Sequence, residues 1–231
     1  MATMPVMYVG RQQPVEVKKP LEDPLAHLPR TSILDYRRGQ TIYSPEQPSA
    51  SIYLVIDGKV KVSRLAGDGN EVVVDIYRAD DFFGESAFLN LSRRPEQAMA
   101  LENARLMSWT SADIEDIIAR RPLLAVALLQ IFVQRATDFS RRIESFAVDN
   151  IPRRLACSLI RFSERLGSIQ EDGSIRMPPF THELISQYVG TSREIVTHYM
   201  NQFRKQGYIR YSRKGIILYR DLFDRWLQQA A

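Results

Sequence analysis

From Leu123 to Val148 the chain carries neither glycine nor proline, and Pro122 stands where it can open a helix, since the first helical N–H needs no partner. A helix over this stretch would be roughly 40 Å long at 1.5 Å per residue, so it divides the chain into a part before it and a part after it. Its apolar residues fall in two stripes. Val126, Leu129, Val133, Ala136, Ile143 and Ala147 follow a near-heptad seam interrupted by Ser140, while Phe132, Phe139 and Phe146 recur every seven residues on another face. One stripe can pack on a domain of the same chain. Both together exceed what one small neighbour covers, so the second is expected to meet its own copy in a homodimer. A helix packed only on its own domain is the alternative.

Upstream the pattern is that of short strands punctuated by turns. Thr41–Tyr43 runs into Ser44-Pro45, Ser51–Ile56 into Asp57-Gly58, and Lys59–Leu65, alternating with period two, into Gly67-Asp68-Gly69-Asn70 before Glu71–Tyr77. Strands at this spacing predict an antiparallel sandwich or barrel. A short helix capped by Ser111 is expected over 111–120. The chain thus reads as an N-terminal arm (1–28), a barrel (29–121), a dimerisation helix (122–149) and a C-terminal module (150–231).

Charge is distributed unevenly. Residues 1–149 hold 18 Lys/Arg against 20 Asp/Glu, and residues 150–231 hold 13 against 7, so the last third is the basic one. A basic module behind a nearly neutral domain suits a polyanionic partner. No apolar run is read as reaching the ~18–20 residues of a membrane span, and no signal peptide is read at the N-terminus. One cysteine, Cys157, excludes an internal disulfide framework and a cysteine-rich metal site, and a cytoplasmic location is expected.

Within the basic module, Thr181 can cap a helix whose inner face is Leu184, Ile185, Tyr188 and Val189, with Gly190 ending it in a left-handed turn. Thr191 or Ser192 can cap a second helix with Val196, Met200 and Phe203 inward. This is the spacing of a helix-turn-helix, whose second helix enters the major groove N-terminus first. Its candidate DNA contacts are Thr191, Ser192, Arg193, Glu194, Thr197 and His198. Arginine suits the O6/N7 edge of guanine, glutamate accepts from cytosine N4, and hydroxyls suit phosphate. The bland reading makes Arg193 and Glu194 solvated charges on an ordinary helical hairpin. Against it stands the segment 203–219, a β-hairpin with Arg213-Lys214-Gly215 at its tip, which is a basic wing suited to phosphate.

The whole pattern over roughly residues 30–220 resembles the family of the cyclic-AMP receptor protein and the fumarate-nitrate reduction regulator (CRP/FNR). The resemblance is carried by Asp57-Gly58-Lys59-Val60, Asp81-Phe82-Phe83-Gly84-Glu85, the long helix, and Val189-Gly190-Thr191-Ser192-Arg193-Glu194. It implies an α+β chain: a cyclic-nucleotide-binding-type jelly-roll barrel, a dimerisation helix and a winged helix-turn-helix. It also implies a bacterial transcription regulator that reads a pseudo-palindromic half-site like TGTGA and contacts RNA polymerase. One departure matters at the DNA end: His198 stands where the family supplies a second arginine.

In the nucleotide-binding members a Gly-Glu pair is followed about eleven residues later by Arg-Ser. Gly84, Glu85 and Ser86 match the first half. Aligned on Ala98, the phosphate arginine becomes Glu96 and the serine Gln97, and a carboxylate there would repel a phosphate. Arg93 or Arg94 could substitute if the loop shifts, and Ser140 of the long helix joins the candidate effector pocket. A cyclic nucleotide therefore stays open as effector, beside a barrel kept for scaffolding or for another ligand. An iron–sulfur cluster would want several cysteines, and His27, His182 and His198 are poorly placed for haem, so no metal or cofactor is expected. No catalytic constellation is found, so the chain is not read as an enzyme; a regulatory or protein-interaction module without sequence-specific DNA binding is the alternative.

Overall fold

The computed structural model describes residues 22–229. The expected arm over 1–28 therefore falls largely outside the described residues. Its last part is a 3₁₀ turn, Pro24–Ala26, laid against the long helix, where Glu22 N–H donates to Gln130 Oε1 at 2.8 Å.

Eight strands form the barrel: β1 (Leu34–Tyr36), β2 (Thr41–Tyr43), β3 (Ser51–Asp57), β4 (Val60–Leu65), β5 (Glu71–Tyr77), β6 (Phe82–Phe83), β7 (Gln97–Ala100) and β8 (Ala104–Thr110). They pair antiparallel in two four-stranded sheets, ordered β1-β8-β3-β6 and β2-β7-β4-β5. Between the sheets lie Tyr43, Val55, Val60, Val62, Tyr77, Phe83 and Leu106. Strand alternation sends Ile52 and Leu54 of β3 to the other face, where they meet helices α1 (Ser111–Arg120) and α2 (Leu123–Val148). That sheet is buried on both faces, which is why β3 reads as a continuous apolar run. Thr110, not Ser111, caps α1, in a reciprocal capping box with Asp113.

Along α2, Leu124, Ala127 and Leu128 pack on the barrel, whereas the near-heptad stripe lies in solvent in the single chain: Leu129 is 62%, Val133 56% and Ile143 68% exposed. By length and composition α2 could also cross a membrane, which corrects the expectation that no stretch would pass that test. Asn150 caps α3 (Ile151–Leu166), followed by β9 (Ser168–Ile169), β10 (Ile175–Met177), α4 (His182–Val189), α5 (Arg193–Lys205), β11 (Ile209–Ser212), β12 (Gly215–Leu218) and α6 (Arg220–Gln229). The last four strands make an antiparallel sheet ordered β11-β12-β10-β9.

The two halves share a packed interface. Val73 and Ile76 of β5 belong to the core that holds Leu155, Leu159, Ile185 and Tyr188. Arg165 of α3 donates to both carboxylate oxygens of the buried Asp75 at 2.6 Å and reaches Asp81 at 3.2 Å.

Candidate DNA interface and effector pocket

Thr181 accepts the Leu184 N–H at the start of α4, and Gly190 closes that helix at φ +70°. Ser192 then caps α5 by accepting the Ile195 N–H at 3.3 Å. Val196, Met200 and Phe203 are buried, so helical periodicity turns Arg193, Glu194 and His198 outward, and all three are exposed. Ser192 is exposed beside them and Thr191 half-buried. Thr197 is differently placed. Its hydroxyl donates to the Arg193 carbonyl and contacts His182 Nδ1, both at 2.8 Å, tying α5 to α4. Burial, helped by Arg193, lowers the His182 pKa and favours the neutral ring. Arg213 and Lys214 are exposed at the tip between β11 and β12. Gly215 follows at φ +142°, where a Cβ would stand 2.6 Å from the Met177 carbonyl oxygen, so the wing cannot close with a larger residue there.

The second site is a cavity of about 550 Å³ between β2-β7-β4-β5 and α2. Gly84, Glu85, Ser86 and Glu96 line it, whereas Arg93, Arg94, Gln97 and Ser140 do not. Arg93 is exposed on its loop. Arg94 is buried, lies 4.0 Å above the Tyr43 ring and donates to the Ser51 carbonyl. Gln97 points to the opposite face with Ser63 and Glu71, as strand alternation requires, while Val62 and Arg64 face the cavity. Ser140 is exposed on α2 and donates to the Ala136 carbonyl, the usual intrahelical fate of a serine hydroxyl.

On the cavity wall Ser86 donates to Glu96 Oε1 at 2.9 Å, and the Ser49 hydroxyl lies 2.8 Å from that of Ser86. Burial and the neighbouring Glu85 push the Glu96 carboxyl up, against the hydrogen bond from Ser86 and the charges of Arg64 and Arg94. Glu85 pairs with the partly buried Arg135 of α2 at 3.0 Å. A cyclic nucleotide brings a phosphate anion; Glu96 on the wall opposes it, Glu85 is already paired with Arg135, Arg64 and Arg142 are the cations on the wall, and Arg94 is turned away.

Sequence reasoning missed Tyr43, Arg142 and Phe146 as cavity residues. The phenylalanine stripe was visible, but its heptad spacing carries a packing signal and no sign of a cavity. Arg142 lines the cavity and donates to the carbonyls of Val73, Val74 and Tyr188 at 2.6–2.7 Å, stacking 3.9 Å above the Tyr188 ring. One guanidinium thus bridges β5 and α4. Phe146 also lines the cavity, and a Cβ on Gly190 would approach its Cε1 to 2.7 Å.

Barrel, long helix and winged module together define a two-domain DNA-binding transcription regulator. The Cyclic nucleotide-binding domain family matches residues 33–121, and the Crp-like helix-turn-helix domain matches residues 153–222. The chain is 31% identical over 186 residues to the "CRP-like cAMP-activated global transcriptional regulator" of Mycobacterium tuberculosis, covering 80% of this chain and 83% of that protein. It is 28% identical to the "Global nitrogen regulator" of Synechococcus elongatus, covering 81% and 85% of the two chains. A solved CRP/FNR-family transcriptional regulator from Thermus thermophilus superposes with a TM-score of 0.68 at 27% identity, covering 86% of this chain and 97% of that one. FixK2 of Bradyrhizobium japonicum shares the fold with a TM-score of 0.72 at 20% identity, over 84% and 96%. This chain belongs to the CRP/FNR family of transcription regulators, which is not an enzyme class.

Proposed function

We propose that the protein acts in the cytoplasm as a homodimer that reads a pseudo-palindromic site with the N-terminal turn of α5, without enzymatic activity. One observation carries this reading: on a helix whose other face is buried, Arg193, Glu194 and His198 stand exposed beside an exposed Arg213-Lys214 tip. Arg193 forms the bidentate pair with guanine O6/N7, and Glu194 accepts from cytosine N4. His198 offers too few donors for an arginine-like fork, so it contributes less selectivity. Thr191, Ser192, Arg213 and Lys214 hold phosphates. Thr197 positions α5 through His182 and the Arg193 carbonyl.

The exposed stripe Val126, Leu129, Val133 and Ile143 supports the dimer. A bilayer is a poorer partner for α2, because its second half carries Arg135, Asp138, Arg141, Arg142 and Glu144. The cavity serves as the effector site, with Gly84, Glu85, Ser86 and Glu96 on its wall, and RNA polymerase is the downstream partner. The relative from Mycobacterium tuberculosis is described as cAMP-activated; Glu96 on the wall of this cavity disfavours that ligand here.

Selection of bound duplexes from a random pool tests the assignment. The wild type should enrich a two-fold site containing a G·C pair in each half, and Arg193→Ala should flatten preference at that position, a loss of about 1–3 kcal/mol of discrimination. An unchanged motif in Arg193→Ala would remove α5 as the reader.

A further inference from the structure

We propose that the barrel cavity takes an amphipathic ligand with an apolar body and a cationic, N–H-bearing head, the head held by Glu96 and the Tyr43 hydroxyl. This inference rests on the reading of the cavity as the effector site and names the class of ligand it would receive.

The cavity has the size of small-molecule sites, and its wall is mostly hydrocarbon: Val62, Val72 and Val74 from the sheet, Phe139, Ile143 and Phe146 from α2. Such a wall asks for an apolar body and offers little to a ribose and phosphate. The polar groups are gathered elsewhere and have a direction. Ser86 donates its single hydroxyl proton to Glu96 Oε1, so toward Ser49 it can only accept. The Ser49–Ser86–Glu96 chain therefore ends on a carboxylate, and every proton in it points toward that end.

Glu96 Oε2 is left with one weak neighbour, Arg64 at 3.8 Å, whose side chain is 58% exposed. Glu85 already has a close cation, Arg135 at 3.0 Å, so Glu96 is the less well matched carboxylate of the two. Beside this acceptor the Tyr43 hydroxyl is buried and has no hydrogen-bond partner among the described residues. A buried phenol without a partner is costly, and so is a carboxylate without a matched cation. An ammonium group answers both: it donates to Glu96 Oε2 and to the Tyr43 oxygen with two of its three protons. An anionic head could accept the Tyr43 proton but would be set against the Glu96 carboxylate. The cations on the cavity wall are Arg64, whose side chain is mostly in solvent, and Arg142, whose Nε lacks a partner among the described residues while its other nitrogens are committed to three carbonyls; Arg94, also short of partners at Nε and Nη1, does not line the cavity.

The full-length protein is titrated by calorimetry with three probes: 4-phenylbutylamine, 4-phenylbutyrate and cyclic AMP. We expect saturable binding of the amine alone, weakened at least tenfold in Glu96→Gln and several-fold in Tyr43→Phe. Both substitutions nearly keep side-chain shape, and melting curves of each variant identify a folding defect. Arg93→Ala, on an exposed residue that does not line the cavity, serves as the control and should leave amine affinity within a few-fold. Saturable binding of the acid or of cyclic AMP in preference to the amine overturns the proposal, as does amine binding that Glu96→Gln leaves unchanged. Saturation by none of the three overturns it too. Duplex-DNA binding is measured on the same preparations. Its loss counts against the regulator assignment, whereas intact DNA binding without amine binding counts against the ligand class alone.

Discussion

Glu96 is held 9% exposed with its carboxyl pKa raised by burial. A carboxyl whose folded pKa lies above its unfolded value contributes stability that is full below the unfolded pKa and is lost as pH rises through the folded one. At neutral pH the ionised Glu96 therefore weakens the fold, and Glu96→Gln should melt higher than the parent. A gain of about 1 kcal/mol would appear as roughly 2–4 °C. The difference should shrink as pH falls below the ordinary carboxylate range, where the parent carboxyl is protonated in both states; melts run across pH check it, and a pH-independent difference would refute the linkage. At the other end of the molecule, Arg213 and Lys214 are solvent-exposed phosphate candidates carrying no base information. Replacing either by alanine should weaken all duplexes alike and lower the salt slope of binding by about one unit. A base-selective effect would assign the wing a different role.

Elements whose ends are set by local chemistry were legible in the sequence. Thr181, Gly190 and Ser192 bracket α4 and α5 because a hydroxyl before a helix and a glycine after one satisfy groups within a few residues. The cap of α1 was misplaced by one, since Thr110 and Ser111 are chemically equal candidates and only the reciprocal bond with Asp113 separates them. Of the cavity residues, those next to the Gly84-Glu85 turn were legible by resemblance. Arg142 was not, because its partners lie 46 to 69 residues away and it sits between two apolar stripes with no periodic signal of its own. The Arg165–Asp75 pair escaped for the same reason, at a separation of 90 residues. Arg142→Ala should leave three partly buried carbonyls short of a donor and loosen the contact between β5 and α4 by about 1–3 kcal/mol. Amide exchange should then quicken in both elements while α1 stays as protected as before; equal protection everywhere would show that the guanidinium is not what joins them.

For the whole molecule, the exposed seam on α2 makes oligomeric state the decisive property. Sedimentation should give a dimer at micromolar concentration, and Val133→Glu should give a monomer that binds a single half-site weakly. A wild-type monomer, free and on DNA, would end the two-fold reading of the operator. The boundary between sensor and reader also bears on how such proteins can be rebuilt. Gly190 turns at φ +70° against the ring of Phe146, so the last two turns of α2 are, by contact, part of the module they precede. A chimera that grafts this DNA-binding module onto a foreign barrel would be cut by eye at the Asp149-Asn150 linker, and would leave Phe146 and Arg142 behind. The splice that keeps the reading head seated lies upstream, before Arg142, and a transplanted module should carry that stretch of helix with it as its own docking peg.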